Sequence, residues 1–235
     1  MLPIAPRQYW HVHRHAILGA ACILHVVDIG HDAQKRGSLM SESLMAIDPT
    51  ILAQIRSDGL LREGHFGFRS GRHSAGLLDR DRLLADPHFA SRLGYAIAKR
   101  FFVDHIETVA TPSIWGAGLA QWVGYFLEPK AKIVDATPKE GEVTIAEELV
   151  DLIRGRRVLL LDNLVISGQT MARFATKIDS LGATVIGIGT LWNSGDQTIA
   201  GNPVFGLLNA HYPAFEPDNC PICRLGAVPV EQMGY

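Results

Sequence analysis

Asp162, Asn163, Ser167, Gly168 and Thr170 fall within one short stretch, VLLLDNLVISGQT at 158–170, and their order suits a phosphorylated sugar. An ionised carboxylate only accepts hydrogen bonds, so Asp162 matches sugar hydroxyls, and its charge favours a cation developing on the sugar. Asn163 also hydrogen-bonds hydroxyls but supplies no charge. Further on, Ser167 and Thr170 add hydroxyl donors, and Gly168 lets the backbone approach a ligand closely. A helix starting here would present free N–H groups and a partial positive charge to a phosphate. The stretch reads as a ribose 5-phosphate cradle; the plainer alternative is a buried strand and a hydroxyl-capped turn. The chain has no G-x-x-x-x-G-K-[ST], and no G-x-G-x-x-G follows a strand, which removes support from triphosphatase and dinucleotide-binding readings.

The elements that must position these residues are legible from periodicity. RRVLLLD is an apolar strand ending at Asp162, and Gly168 to Leu181 is a helix with Met171, Phe174, Ile178 and Leu181 on its inner face. Gly182 stops that helix and TVIGIGTLW is the returning strand. Upstream, Asp86 and Pro87 open a helix carrying Phe89, Leu93, Ile97 and Phe101 on one face. IETVATPS then reads as a buried strand ending near Thr111 and Pro112, GAGLAQWVGYFL as a helix and AKIVDAT as a strand. Alternating strands and helices imply an α/β fold, a parallel sheet flanked by helices on both faces, with ligands at the strands' C-terminal ends.

The 235 residues, 47% of them hydrophobic, suffice for a sizeable core, and a formal net charge of -2 without a long basic run gives no nucleic-acid footprint. Three cysteines make no disulfide framework, so a cytoplasmic setting is expected, and no apolar run is long enough to span a membrane. Residues 1–44 read as a poorly ordered extension. Its AILGAACILHVV segment has the apolar character of a signal peptide but a poor cleavage site after it, and its alternating His11, His13 and His15 read as a solvated tail. From Asp48 and Pro49 a helix opens.

Residues 158–170 resemble the phosphoribosyl pyrophosphate (PRPP) signature of type I phosphoribosyltransferases, with matches at Val158 to Leu161, Asp162, Ser167, Gly168 and Thr170. Asn163 stands where a second acid is expected, Ile166 where a hydroxyl residue is usual, and Gln169 where glycine is usual. REGHFGFRSGRHS at 62–74, followed by LLADPHFASRLGYAIAKRF, resembles the N-terminal region of orotate phosphoribosyltransferases. The likeness spans residues 45–230. It implies a five-stranded parallel sheet with a small N-terminal hood, commonly dimeric, acting on Mg²⁺-bound PRPP and a nucleobase, orotate first. The resemblance assigns PRPP binding to Asp162, Asn163, Val165, Ile166, Ser167, Gly168, Gln169 and Thr170. To the pyrophosphate loop it assigns Thr111, Pro112, Ser113 and Gly116, and to the base pocket Arg62, Phe66, Phe68 and Ser70. Asp162 and Lys139 are the expected catalytic residues. Lys139 is the single lysine in ATPKEGEVTIAEE, where the family carries a lysine-rich mobile loop with a histidine; its alternative is an exposed loop lysine.

Arg62, Arg69, Arg72 and His73 offer cations to a base carboxylate, with Arg69 and Arg72 individually expected to face solvent. In the tail at 217–235, Cys220 and Cys223 have the spacing of two zinc ligands, with His211 as a candidate third. Two free thiols in a turn are the alternative, and a redox pair is disfavoured because the motif does not open a helix after a strand. Two other functions compete with the transferase. A non-catalytic PRPP-binding regulator is favoured by Asn163 and the reduced loop, whereas a nucleotide phosphatase or nucleoside hydrolase lacks a nucleophile motif or acidic metal cluster.

Overall fold

The computed structural model describes residues 49–139, 142–194, 197–208 and 212–233; the extension at 1–44, Asp48 and His211 lie outside them. In chain order the elements are α1 (Pro49–Ser57), β1 (Leu61–Gly67), β2 (His73–Leu78), α2 (Arg80–Ala85), α3 (Pro87–Arg100), β3 (Thr108–Thr111), α4 (Ala117–Phe126) and β4 (Lys132–Asp135). A short hairpin follows, β5 (Thr137–Lys139) and β6 (Glu142–Thr144), then β7 (Arg157–Val165), α5 (Gln169–Ser180), β8 (Thr184–Asn193), β9 (Thr198–Ile199) and β10 (Asn202–Leu208). The chain ends in α6 (Pro221–Leu225) and β11 (Glu231–Gln232).

Val158 to Leu161 are fully buried in β7, which forces helices onto both sides of the sheet. Alternation divides them between two cores. Val158 and Leu160 pack with Met171, Phe174 and Ile178 of α5, whereas Leu159 and Leu161 join Leu93 and Ile97 of α3 and Leu119 and Val123 of α4. The strand order is β4-β3-β7-β8-β10-β9, with the first five parallel and β9 antiparallel at the edge. The chain leaves β3 toward β4 and leaves β7 toward β8, in opposite directions. Between those two strands the sheet opens a crevice at its C-terminal end, the place where such sheets bind ligands.

Two details differ from the sequence reading. β7 does not stop at Asp162 but continues to Val165, because β8 runs on to Asn193 and pairs with it through Leu164↔Trp192 and Val165↔Asn193. The hood is also not solely N-terminal. β1 and β2 form an antiparallel hairpin, and β11 adds a third strand parallel to β1, with Phe66 opposite Glu231 and Gly67 opposite Gln232. The expected cap of α3 is in place, Asp86 Oδ1 accepting from the His88 N–H at 2.8 Å. Among the described residues no helix is long and apolar enough to cross a membrane.

Close approach of α3 to α4 depends on Gly94, where an added Cβ would fall on the Trp122 Cβ and lie within 3.3 Å of the Trp122 backbone. Gly94→Ala is expected to push these helices apart and cost about 1–3 kcal/mol despite alanine's better helix propensity. The measurement is the denaturant midpoint, which should fall.

Candidate active site

At the C-terminal end of β7 lies a cavity of about 180 Å³. Asp162, Leu164 and Val165 line it from β7, Ile166, Ser167 and Gly168 from the loop, and Thr170 and Met171 from the first turn of α5. Phe68 and Ser70 close it from the β1–β2 turn, and Arg80 enters from α2. The loop is held open by its neighbours. Gln197 Nε2 and Ser194 Oγ both donate to the Ile166 carbonyl, at 2.6 and 2.8 Å, and Gly168 adopts φ +73°, a left-handed conformation that glycine accepts without strain. Among the described residues neither the Ser167 nor the Thr170 hydroxyl has a protein partner, which leaves both for a ligand at the start of α5.

Asp162 is the carboxylate of this cavity. Its Oδ1 accepts the Asn163 N–H at 2.7 Å. Burial among apolar side chains pushes its carboxyl up to about 6, against the opposing pull of that hydrogen bond and of the Arg80 charge. The Arg80 side chain is only 12% exposed. The pocket therefore pairs a half-buried carboxylate with the nearby charge of a mostly buried guanidinium.

Asn163 behaves differently from expectation. Consecutive strand residues point to opposite faces, so it does not line the cavity; it is 2% exposed, and its Nδ2 donates to the Trp115 carbonyl at 2.8 Å. Its Oδ1 is buried without a partner among the described residues. The amide thus ties β7 to the turn at Ile114–Gly116 that follows β3. In that expected pyrophosphate loop, Thr111 is buried, its Oγ1 donates to the Ser113 carbonyl at 2.9 Å, and a Cβ on Gly116 would come within 2.9 Å of Thr111 Cγ2. Thr111, Pro112, Ser113 and Gly116 flank the crevice without lining the cavity, and Gln169 is likewise exposed outside it.

Of the four expected base-pocket residues the structure brings Phe68 and Ser70 to the cavity and directs the other two elsewhere. Arg62 forks onto Glu231 of β11 at 3.1 and 2.7 Å and stacks 5.1 Å above the Phe66 ring, which is itself 2% exposed. Both serve the hood. Arg72 pairs with Glu216 at 2.8 Å, Arg69 is exposed, and His73 faces Cys223 instead of the cavity. Lys139 is exposed at the end of β5, outside the pocket. Arg80, which the sequence reading missed, is announced only by Asp79, whose Oδ1 accepts the Arg82 N–H and caps α2 directly after β2.

The class this fold and crevice define is the type I phosphoribosyltransferase fold. It is shared with the crystal structure of Mycobacterium tuberculosis orotate phosphoribosyltransferase in complex with inorganic phosphate, at a TM-score of 0.50 and 16% identity, covering 68% of this chain and 93% of that one. Within that class the chain is similar to orotate phosphoribosyltransferases. It is 29% identical over 184 residues to the Thermus thermophilus protein of that name, covering 78% of this chain and 99% of the relative. To the Chlorobium phaeobacteroides protein it is 28% identical over 187 residues, covering 79% and 95%. No family model matches the chain.

Two outcomes follow from the geometry. A carboxyl raised in the folded state costs stability as pH climbs from the unfolded value of 3.8 through about 6, so Asp162→Asn, which mimics the protonated acid, should melt higher than the parent above about pH 6 and identically below about pH 3.8. Thermal midpoints across that range check it. Asn163→Asp removes the donor to Trp115 and turns a carboxylate toward its carbonyl, so it should lower stability by about 1–3 kcal/mol without raising any activity; equilibrium unfolding beside an activity assay would show this.

Proposed function

We propose that this chain transfers a phosphoribosyl group from PRPP to a nucleobase, orotate first, giving orotidine 5-monophosphate and pyrophosphate. The observation that carries the reading is the position of Asp162 and the Ser167–Thr170 loop in one cavity at the strand-order reversal, in a chain similar to orotate phosphoribosyltransferases over most of its length. The Ser167 and Thr170 hydroxyls and the free N–H groups at the start of α5 hold the 5-phosphate. Asp162 accepts hydrogen bonds from the ribose hydroxyls, and its charge favours the oxocarbenium-like state formed as the base displaces pyrophosphate at the anomeric carbon. Arg80 supplies the cation that a base carboxylate meets in this cavity, with Phe68 beside it.

The cavity lining contains one carboxylate, Asp162, too few to cage Mg²⁺ by itself. The fit is to a cation that arrives on the PRPP phosphates and neutralises their charge. Lys139 is the cation that the described part of the β5–β6 hairpin offers to the pyrophosphate, and positioning of the two reactants carries most of the remaining work. A homodimer goes with this reading; exposed Tyr95 and Tyr125, on the adjacent helices α3 and α4, support a face for it, and light scattering measures it. A second reading, a PRPP-binding regulator, is favoured by the single lysine of that hairpin.

Purified protein mixed with Mg²⁺, PRPP and orotate should show orotate absorbance falling in step with pyrophosphate release, and Asp162→Ala should lose at least about 100-fold in kcat/KM, about 2.7 kcal/mol of transition-state stabilisation. Calorimetric PRPP binding with neither signal changing would instead support the regulator.

A further inference from the structure

Outside the cavity, four side chains from opposite ends of the described chain converge on one point. His65 of β1 is 3% exposed, and its Nε2 lies 3.2 Å from His73 Nδ1 and 3.5 Å from the Sγ of both Cys220 and Cys223. His73 Nδ1 is 3.1 Å from Cys223 Sγ, and all four donor atoms lie within 4.8 Å of one another. We propose that His65, His73, Cys220 and Cys223 bind one zinc ion that fastens the C-terminal segment to the β1–β2 hairpin.

The three distances from His65 Nε2 are close to those of a tetrahedral ligand set, and the 3.1 Å between His73 Nδ1 and Cys223 Sγ is somewhat shorter. With Zn–S near 2.3 Å and Zn–N near 2.05 Å, tetrahedral angles put nitrogen and sulfur about 3.5 Å apart and the two nitrogens about 3.3 Å apart. Hydrogen bonding alone accounts poorly for the cluster. His65 Nδ1 lies 2.9 Å from the Val228 carbonyl, to which only an N–H can donate, so in a neutral ring Nε2 keeps a single lone pair facing three polar neighbours. A cation at the centre satisfies all four donors at once, the two thiols losing their protons to solvent as it binds. The Val228 carbonyl then serves as the outer partner that fixes the tautomer and orientation of a metal-bound imidazole.

The segment has few buried anchors of its own. Between residues 212 and 233 only Cys220 is buried among the described residues, and the segment's packing on the main core is through the partly buried Tyr212 and Met233 at its two ends. Its other attachments are mostly at the edge of the fold: Ser74 Oγ donating to the Tyr212 carbonyl, the Tyr212 hydroxyl donating to Glu63, the edge contact of Tyr212 with Trp192, the Met233 N–H on the Gly67 carbonyl, two residue pairs of β11 with β1, the Phe215–His73 bridge and the ion pairs to Arg62 and Arg72. A small segment of this kind needs a staple. Four protein ligands leave no open position for substrate, so the ion is structural. The expected cysteine pair is therefore completed by two histidines that flank the turn bearing Phe68 and Ser70. Where the transferase reading holds, the ion fixes that wall of the cavity.

The test uses the full chain, purified without chelator. Elemental analysis should find about one zinc per chain, and exchange with Co²⁺ should give the intense visible bands and thiolate charge-transfer absorption of a tetrahedral site. His73→Ala, at a half-buried position, should weaken metal retention at least about tenfold against a competing chelator, and Cys220→Ser with Cys223→Ser should abolish it. Should the cysteine variant fail to fold, the Co²⁺ spectrum of the parent still decides. Absence of metal together with no Co²⁺ spectrum overturns the proposal, as does mass spectrometry showing a Cys220–Cys223 disulfide in the native protein. Metal content is independent of turnover, so a zinc-loaded protein without transferase activity removes the functional reading and leaves this site standing. If both hold, zinc removal should raise the orotate KM more than the PRPP KM.

Discussion

Keeping one half-buried carboxylate in a cavity of mixed apolar and hydroxyl side chains is the constraint around which this structure is arranged. Partial burial raises the cost of ionising Asp162, and two groups lower it: the N–H of the next residue and the charge of Arg80. Each depends on a different part of the fold. The N–H belongs to the residue that follows Asp162 in β7, beyond the last β3–β7 pair at Leu160, and Arg80 arrives because Asp79 starts a helix immediately after the hood hairpin. Their pull is incomplete, so the carboxyl stays above the ordinary carboxylate range in the folded chain.

The crevice itself rests on an economy of backbone groups. Where the strand order reverses between β3 and β7, their ladder ends at Ala110 and Leu160, and beyond it the Asn163 amide ties β7 to the turn after β3 through the Trp115 carbonyl. The residue most easily read as a weakened acid is thus part of the frame. Its neighbour faces the ligand space, and the alternation of a strand separates the two roles by one position.

The central sheet and its helices were legible because their signals are local: four aliphatic residues before an acid, a 3.6-residue apolar period, an Asp-Pro cap. The loop at 166–170 was legible for the same reason. Arg80 was not, since nothing in DRDRLL says that its helix ends beside β7. Arg62 and His73, expected at the base pocket from the resemblance and from their nearness to it in sequence, turn to other partners. Their partners, Glu231 and Cys223, lie 169 and 150 residues away, and no pattern in one sequence announces pairings at that range. The position of β11 was hidden likewise, because two residues of exposed strand carry no periodicity.

The parallel pairing of β11 with β1 sets an order on how the molecule is completed during synthesis. All strands of the large sheet have emerged by Leu208, and β1 and β2 long before, yet β1 keeps one open edge of N–H and C=O groups until Glu231 and Gln232 follow. An open edge of this kind is a template for any passing strand. Of the three hood strands, two are therefore made early and one after the whole of the large sheet, so the protection of that edge rests on the strand most distant in sequence.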